Sequence, residues 1–430
     1  MYITGWTAAL AALGAVPAAF LHERTFAWVW VLGTLVLACL DVLAAPSPTT
    51  IGVRRTAPSA VRLTESTVTT LEVANLGRRR VRGAVRDAWQ PSAGTHGERH
   101  RITIPAGQTE RLRTGLTPTR RGDRRADLVT MRLEGPLRLA GRQRSVEAPA
   151  VLRVLPEFAS RRHLPSRLAR LREIDGQTAV QLKGAGSEFD SLRSYVIGDD
   201  VRAIDWRASA RRADVLVKTY RPERDRRVMI VLDTSRLSAA RVGDAPRLDA
   251  SIEASLLLTA LATKAGDRVQ VSAFDRVERA RALGTGGPAV MPALADALAS
   301  VEPALVEPDW AAVARLVQSR MSQRALVVLL TTLDSSAVDG GILDAVAAIA
   351  SKHAVMVASV DDPELAVLES GRDDVHDHYA AGAAARSALE QDAVATRVRE
   401  LGADVVHALP DEIAPAVADR YLALKASGRL

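Results

Sequence analysis

Two apolar stretches open the chain. Residues 3–21 and residues 26–40 contain no charged side chain, and the second stretch continues to Ala45 across Asp41. Each is close to the roughly 20 residues that a helix needs to cross a bilayer, and the segment His22–Thr25 between them suits a tight hairpin. The pattern predicts a transmembrane helical hairpin over residues 1–45, with spans at Ile3–Leu21 and Phe26–Ala45.

Two other interpretations of these stretches are a signal peptide and a buried hairpin of a soluble protein. No basic residue precedes the first stretch and no clear cleavage site follows it, which disfavours a signal peptide. A soluble hairpin this apolar would be unusual. Arg54, Arg55 and Arg62 follow the second stretch, so the positive-inside rule predicts a two-span protein of the cell membrane with the bulk of the chain in the cytoplasm.

A period-two pattern follows the linker Ala45–Thr50. In Val81–Trp89, for example, apolar residues share one face while Arg82 and Arg86 take the other, as in a half-buried strand. Turn signals separate similar runs at Val68–Ala74, Arg101–Ile104, Arg111–Leu116, Leu128–Leu133 and Val151–Leu155. The spacing predicts an immunoglobulin-like β-sandwich over residues 51–156.

Residues 157–226 contain an expected amphipathic connecting helix over Phe158–Lys183 and then a segment in which charges alternate with aromatic residues. Bidentate pairs of arginine and carboxylate are directional and fix a loop geometry. We interpret the second part, Gly186–Glu223, as a partly buried ionic clasp that locks the start of the following sheet, with an exposed binding epitope as the alternative. The residues of the clasp are Glu188, Arg193, Asp199, Arg202, Asp205, Trp206 and Arg211.

This segment resembles a known family signature. Its members run in the order Glu188-Phe189, Leu192-Arg193, Tyr195, Gly198-Asp199, Arg202, Ile204-Asp205-Trp206 and Ser209-Ala210-Arg211. The order is similar to that of the bacterial domain of unknown function 58 proteins, closely from Gly186 to about Ser235 and by layout elsewhere. The resemblance implies a partner, because proteins of this family are associated with AAA+ ATPases of the MoxR family, which are regarded as remodelling chaperones.

Strands and helices alternate over residues 227–430. Strands are predicted at Val228–Leu232, Arg268–Phe274, Ala325–Thr331, His353–Val360 and Asp404–Leu409, with Glu278–Leu283 as a hairpin partner. Helices are predicted at Leu248–Lys264, Ala289–Ser300, Trp310–Arg320, Gly341–Ser351, Tyr379–Leu401 and Asp411–Ala426. This alternation is typical of a doubly wound α/β fold with a mostly parallel sheet, and the layout resembles a von Willebrand factor type A domain.

Sites in such sheets form at the carboxyl ends of strands, where Asp233-Thr234-Ser235 falls. The triplet resembles the start of a metal-ion-dependent adhesion site, which binds Mg²⁺ through one carboxylate and two hydroxyl groups. The ligands that the resemblance implies are Asp233, Ser235, Thr285 and Asp334. Leu237 stands at the second serine position and Thr332 where an aspartate is expected, so we predict a degenerate site without a strongly bound metal or any other cofactor.

Composition changes this picture little. The chain has 57 basic and 50 acidic residues and a formal charge of +7, while aromatic residues make up 4%. Most arginines lie beside acids, and stacking aromatics are few, so nucleic-acid binding is disfavoured. We expect the run Arg120, Arg121, Arg124 and Arg125 to form a solvated face of the sandwich, with contact to anionic lipid as the alternative. Cys39 stands alone and excludes an intramolecular disulfide.

No catalytic motif is evident. The chain lacks a nucleophile elbow, a phosphate-binding loop with its lysine, and a histidine pair at zinc spacing. Arginines beside Glu188, Asp199 and Asp205 favour the charged carboxylates, which suits ion pairs and not a general acid. We therefore expect a membrane-anchored, non-catalytic interaction or assembly protein that works with a MoxR-family ATPase. The alternatives are a metal-dependent hydrolase at the sheet edge and, less favoured, a nucleic-acid-binding protein.

Overall fold

The computed structural model describes residues 1–17, 24–181, 188–196, 199–212, 214–221, 226–284 and 289–430. The chain divides into two compact units, Met1–Leu155 and Pro156–Leu430. The first is rich in strands and the second alternates strands with helices. The protein is therefore multi-domain, as the change of hydrophobic period along the chain predicts.

The first unit begins with two helices, α1 (Gly5–Leu13) and α2 (Arg24–Ala44). Its strands are β1 (Tyr2–Ile3), β2 (Ile51–Thr56), β3 (Ala60–Arg62), β4 (Thr67–Asn75), β5 (Val81–Asp87), β6 (Thr95–His96), β7 (Arg99–Ile104), β8 (Thr109–Leu116), β9 (Gly122–Glu134) and β10 (Ala140–Leu155). Each predicted strand of this region overlaps an observed one, and β9 and β10 are much longer than predicted.

These strands form two sheets over one core. In the part of the chain that the structure describes, one sheet has the order β1-β10-β9-β5-β7 with β3 beside β10, and the other has the order β2-β4-β8-β6. Leu71, Val73 and Leu112 of the second sheet pack with Val85, Ile102 and Met131 of the first. The alternation of apolar and polar residues produces this arrangement, since each strand turns one face to the shared core.

The apolar amino-terminal region differs in part from the prediction. Among the described residues, one helix is long and apolar enough to cross a membrane, over Thr25–Thr50. The first apolar stretch forms the shorter helix α1, and residues 18–23 lie outside the described part. The structure therefore supports one candidate anchor helix, and it does not support two full spans.

The second unit contains the remaining elements. Its helices are α3 (Leu164–Gln181), α4 (Trp206–Arg212), α5 (Arg236–Ala239), α6 (Arg247–Lys264), α7 (Val290–Ala299), α8 (Trp310–Arg320), α9 (Ser335–Asp339), α10 (Ile342–Ala350), α11 (Pro363–Ser370), α12 (Val375–Glu400) and α13 (Pro410–Ala426). Its strands are β11 (Glu188–Ser194), β12 (Leu216–Arg221), β13 (Arg227–Asp233), β14 (Arg241–Val242), β15 (Ala245–Pro246), β16 (Arg268–Phe274), β17 (Glu278–Gly284), β18 (Leu326–Leu330), β19 (Ala354–Val360) and β20 (Asp404–Ala408).

A six-stranded sheet organises this unit, with the order β17-β16-β13-β18-β19-β20 over the described residues. All neighbouring pairs are parallel except β16 and β17, which form the predicted hairpin. Helices α8, α10 and α12 cover one face, while α6 and α13 pack together and contact β13, β19 and β20. Because helices cover both faces of the sheet, central strands such as Val228–Leu232 have no face in contact with water and are fully buried.

Candidate functional site

The signature segment forms a small substructure of its own. Strands β11 and β12 pair with each other, in a sheet separate from the six-stranded one as far as the structure describes them. Between them lies α4, which Asp205 caps by accepting hydrogen bonds from the amides of Arg207 (3.1 Å) and Ala208 (3.0 Å). The buried hydroxyl of Ser209 donates to the carbonyl of Asp205 (2.7 Å) and accepts from the amide of Leu216 (2.9 Å). Hydrogen bonds to Asp205 and Ser209 thus hold α4 against β12.

The predicted ion pairs form only in part. Arg193 binds Asp199 with both terminal guanidinium nitrogens, Nη1 at 2.7 Å and Nη2 at 2.5 Å. The hydrogen bond from Arg193 is the main cause that lowers the pKa of Asp199. Asp205 pairs with Lys218 (3.3 Å) and not with Arg202, and its pKa is lowered, chiefly by the amide of Ala208. The side chain of Glu188 lies outside what the structure describes.

The predicted burial of the clasp is not observed. The exposed fractions of Trp206, Val196 and Val201 are 68%, 62% and 61%. Arg202 and Arg211 are exposed as well. The amide of Arg202 donates to the carboxylate of Asp200 (2.9 Å), but within the described ranges no ion pair joins either guanidinium to a carboxylate. Ion pairs in such surroundings are screened by water and contribute little to stability. The clasp therefore does not form a buried lock across the six-stranded sheet.

At the carboxyl edge of that sheet, Asp233 ends β13 and is almost fully buried. Its carboxylate accepts hydrogen bonds from the amide of Ser235 (2.8 Å) and from the hydroxyl of Thr331 (2.6 Å). Burial raises the pKa of Asp233, and the nearby charge of Asp275 acts in the same direction, against the lowering effect of these hydrogen bonds. Both carboxylate oxygens are therefore already bound by protein donors.

The other predicted ligands do not complete a metal site. Ser235 caps α5 through the amide of Leu237, and Asp334 caps α9 through the amide of Ala337 (2.9 Å). Thr285 lies outside the described residues. Over the described ranges, no group of three or more His, Cys, Asp or Glu side chains is placed to bind a metal ion. The described members of the set, Asp233, Ser235 and Asp334, all accept hydrogen bonds from backbone amides and do not by themselves supply the near-octahedral oxygen ligands that Mg²⁺ requires.

A guanidinium lies at this edge instead. Arg247, the first residue of α6, donates a hydrogen bond to the hydroxyl of Thr332 (3.0 Å), which stands where an aspartate ligand is expected. Burial lowers the pKa of Arg247, and the charges of Asp362, Asp334 and Asp361 oppose this shift. Sequence reasoning did not identify Arg247, because nothing local distinguishes it from the many other arginines.

Asp275 was also missed, although it directly follows β16 at the same edge as Asp233. It accepts hydrogen bonds from Thr234 (3.2 Å) and Arg279 (2.7 Å). Burial raises its pKa, but the bonds from Arg279 and from the amides of Arg276 and Val277 outweigh this and leave the pKa lowered. The rule that placed Asp233 at a strand end applies equally to Asp275, so the signal was present in the sequence.

Replacement of Asp233 by asparagine is expected to stabilise the protein increasingly as the pH rises. The native pKa of Asp233 is raised, so the unfolded chain releases this proton at a lower pH than the native chain does. As the pH rises from the unfolded-state pKa to the native-state pKa of Asp233, the wild type therefore loses stability. Above the native-state pKa, the difference in free energy of unfolding between the wild type and Asp233→Asn stays constant. Denaturant melts of both proteins from acid to neutral pH measure this difference. A difference that does not change with pH would contradict the assignment.

The amino-terminal helices are fixed to one turn of the β-rich unit, Gly135–Leu139. Asp41, near the end of α2, accepts hydrogen bonds from the amides of Leu137 (2.7 Å), Leu139 (2.8 Å) and Ala140 (3.0 Å). At the start of α1, the hydroxyl of Thr4 donates to the carbonyl of Arg138 (2.6 Å). The start of α1 and the end of α2 therefore contact the same turn.

The family comparison concerns the second unit. Residues 191–401 match the family model described as "Protein of unknown function DUF58", and this match supports the DUF58 family for the chain. No curated protein matches the sequence.

Three solved structures resemble limited parts of the chain. The CARDB domain of a Pyrococcus furiosus protein, in complex with di-metal ions, is 19% identical over 26% of this chain and 94% of that domain, with a TM-score of 0.19. A Salmonella alpha-2-macroglobulin mutant is 12% identical over 24% of this chain and 7% of its own, with a TM-score of 0.19. A beta-glucosidase from Listeria innocua is 11% identical over 24% of this chain and 16% of its own, with a TM-score of 0.18. These likenesses are too weak to carry an argument about function.

Proposed function

We propose, from the match of residues 191–401 to the DUF58 family, that this is a membrane-anchored interaction protein without catalytic activity of its own, working with a MoxR-type AAA+ ATPase. The observation that carries the proposal is the exposure of the signature segment. The segment whose residue order resembles the family signature exposes Trp206, Arg202 and Arg211. Large exposed apolar side chains beside arginine are typical of binding hot spots.

The signature segment is the proposed docking surface. Asp205 and Ser209 hold α4, which carries Trp206, through hydrogen bonds. Asp200 holds the preceding turn by accepting from the amide of Arg202 (2.9 Å), so the segment presents both side chains on an ordered scaffold. A preformed surface loses less conformational entropy on binding than a flexible one. The exposure of these side chains favours an exposed binding epitope over the partly buried lock that the sequence suggested.

Copurification of the full-length protein with its ATPase, in detergent and with nucleotide, tests this function. Trp206→Ala and Arg202→Ala are each expected to weaken binding of the ATPase about thirtyfold, the effect of losing about 2 kcal/mol at a hot spot. Because both side chains are exposed, the melts of these variants should match the wild type.

Two variants in the same unit serve as matched controls. Tyr379 is an exposed aromatic residue, 78% accessible, and Arg399 is an exposed arginine. Tyr379→Ala and Arg399→Ala should retain the ATPase. Equal binding by all four variants would exclude the signature segment as the docking surface, and failure of the wild type to bind any such ATPase would overturn the proposed partner.

The finer architecture is also a proposal. We infer that the second unit is von Willebrand factor type A-like, which the mostly parallel order β17-β16-β13-β18-β19-β20 with one antiparallel edge strand supports. An experimental structure with another strand order would refute this.

We also propose that α1 belongs to a two-span hairpin with both ends in the cytoplasm. Two contacts support it: the indole of Trp30 in α2 donates to the carbonyl of Leu10 in α1 (3.0 Å), and the start of α1 shares the turn Gly135–Leu139 with Asp41. Cysteines placed between Ala57 and Ser66 and near Gly428, with Cys39 replaced, should both resist an impermeant reagent in intact cells. Labelling of both positions would refute this topology.

A further inference from the structure

Three turns lie at one end of the β-rich unit, which we call the anchor end: 75–80, 105–108 and Gly135–Leu139. The strand register places them together. Val81 pairs with Ile104, which joins the first two turns. Gly83 pairs with Leu133 in the antiparallel pair of β5 and β9, so Val81 lies opposite Gly135, the start of the third turn. Asn75 fixes the first turn to the second by donating to the carbonyls of Ile104 and Pro105, both at 3.0 Å. Asp41 fixes the third turn to α2. The candidate anchor helix therefore leaves the unit at this end.

The anchor end is basic and partly apolar. It exposes four arginines, Arg78, Arg79, Arg80 and Arg138. Two leucines are also exposed, Leu76 by 74% and Leu137 by 55%. The sequence of the three turns contains no aspartate or glutamate. Arginine beside exposed leucine, without acidic neighbours in the turns, matches the chemistry of an anionic lipid surface, whose headgroups are negative and whose interior is apolar.

Arg138 has an unusual backbone conformation. Its φ is +59°, in the left-handed region that glycine adopts without strain and other residues rarely adopt. Such strain is tolerated where surrounding contacts impose it and is common at functional positions. Here the hydrogen bonds from Thr4 and to Asp41 impose the turn. A glycine would suit the backbone better, so the presence of arginine points to a use for its side chain.

The length of the anchor helix brings this end to the lipid. Between Thr25 and Leu40 the helix spans about 24 Å, at about 1.5 Å per residue, and the hydrocarbon core is about 30 Å thick. Leu43, which is 67% exposed, lies beyond Asp41 on the same helix. Burying Leu43 in the membrane would draw the turn that Asp41 holds into the headgroup region.

We propose that the anchor end lies directly on an anionic lipid surface, with Leu76 and Leu137 inserted at the interface and Arg78, Arg79, Arg80 and Arg138 against lipid phosphates. This inference rests on the proposed membrane anchoring and extends it from one helix to a face of the folded unit. The arginines that the sequence suggested as an alternative lipid contact, Arg120 to Arg125, lie at the opposite end of the β-rich unit. Gly122 opens β9 at the end opposite Glu134, Arg121 is buried, and Arg124 donates to Ser92 (2.7 Å).

The test uses the full chain with Cys39 replaced by alanine, reconstituted in phosphatidylcholine vesicles with and without phosphatidylglycerol. A fluorophore sensitive to polarity is attached through Leu137→Cys, and a control fluorophore through Arg120→Cys at the opposite end. In vesicles with phosphatidylglycerol, we expect a blue-shifted emission at position 137 and about tenfold protection from an aqueous quencher relative to position 120. High salt should weaken the shift.

Arg138→Gly separates lipid contact from folding. Glycine relieves the strain at φ +59°, so this variant should melt at or above the wild-type temperature, while the preference for phosphatidylglycerol falls about fivefold, the equivalent of about 1 kcal/mol per basic residue. Replacing Arg78, Arg79 and Arg80 by glutamine should abolish most of the remaining preference. No loss in either variant would overturn the inference.

The possible results distinguish this inference from the proposed anchoring. If the chain resists alkaline extraction but the fluorophore at position 137 stays as accessible as that at position 120, the lipid-facing surface is refuted and the anchor stands. If alkali extracts the chain, the anchor is refuted, and a shift at position 137 that salt reverses would still support the surface. Protection at position 137 that requires another protein would overturn the inference in favour of a protein partner.

Discussion

Asp87→Ala is expected to lower the free energy of unfolding of the β-rich unit by about 3 to 5 kcal/mol, the usual effect of removing one partner of a buried ion pair. Arg55 and Asp87 form such a pair, with a distance of 2.7 Å and both side chains at 0% exposure. The guanidinium also donates to the carbonyls of Ala126 (3.0 Å) and Leu128 (3.2 Å). Without Asp87, this charge is left in the core without a counter-ion.

The neighbouring arginine is the matched control. Arg54 lies on the opposite face of β2 and is exposed, so Arg54→Ala should change stability by about 0.5 kcal/mol or less. Because the protein has two units, native-state hydrogen exchange of the amides in β5 and β9 is a better measure than one global melt. Asp87→Ala should speed this exchange by about two to four orders of magnitude. Equal effects of the two variants would show that the ion pair does not stabilise the core.

Gly135→Ala is expected to detach the end of α2 from the β-rich unit. A Cβ at residue 135 would collide with a carboxylate oxygen and with the carbonyl oxygen of Asp41. The carboxylate then cannot accept its hydrogen bonds from the amides of Leu137, Leu139 and Ala140. Each hydrogen bond to a charged group contributes about 1.5 to 3 kcal/mol to stability. Asp41→Ala, which removes the same acceptor from the other side, should have a similar effect of about 4.5 to 9 kcal/mol, the sum over three such bonds.

Hydrogen exchange of Leu137, Leu139 and Ala140 measures the loss, since these amides are protected only while Asp41 accepts from them. Gly33→Ala is the control, because a Cβ at residue 33 of the same helix meets no atom within 4 Å. It should leave the exchange unchanged. If Gly135→Ala also leaves it unchanged, the turn is held by contacts other than those of Asp41.

Local patterns predicted the elements well. The strand Arg268–Phe274 and the helix Trp310–Arg320 have the predicted bounds, because a continuous apolar run and a helical period are both properties of neighbouring residues. The change of period near Pro156 likewise separated the β-rich unit from the α/β unit. The helix Pro363–Ser370 was missed, since its residues show no apolar face and none of them is buried.

Burial of charge could not be predicted in this way. Arg54 and Arg55 are adjacent and chemically identical, yet one is exposed and the other is paired with Asp87 in the core. Sequence reasoning used both as free charges that orient the membrane helix. The fold instead exposes Arg78, Arg79 and Arg80 at the anchor end, far from α2 in sequence.

The candidate sites show the same limit. Charges interleaved with Trp206 indicated a buried clasp, but burial depends on what packs over a segment, and within the described residues no strand of the large sheet pairs with β11 or β12. At the sheet edge, the sequence placed Asp233 correctly at a strand end. The hydrogen bond between Arg247 and Thr332 joins residues 85 positions apart, and it forms only in the folded chain.

The sequence by itself determined most of the helices and strands, the change from a β-rich to an α/β region and the departures from a metal site at Leu237 and Thr332, because these depend on residue type and local order. The tertiary structure decided which of the many arginines are buried, paired or exposed, and which turns share the end from which α2 emerges. Those properties depend on strand register and on contacts between distant residues, such as Asp41 with Leu139. An arginine-rich sequence gives no local signal for them.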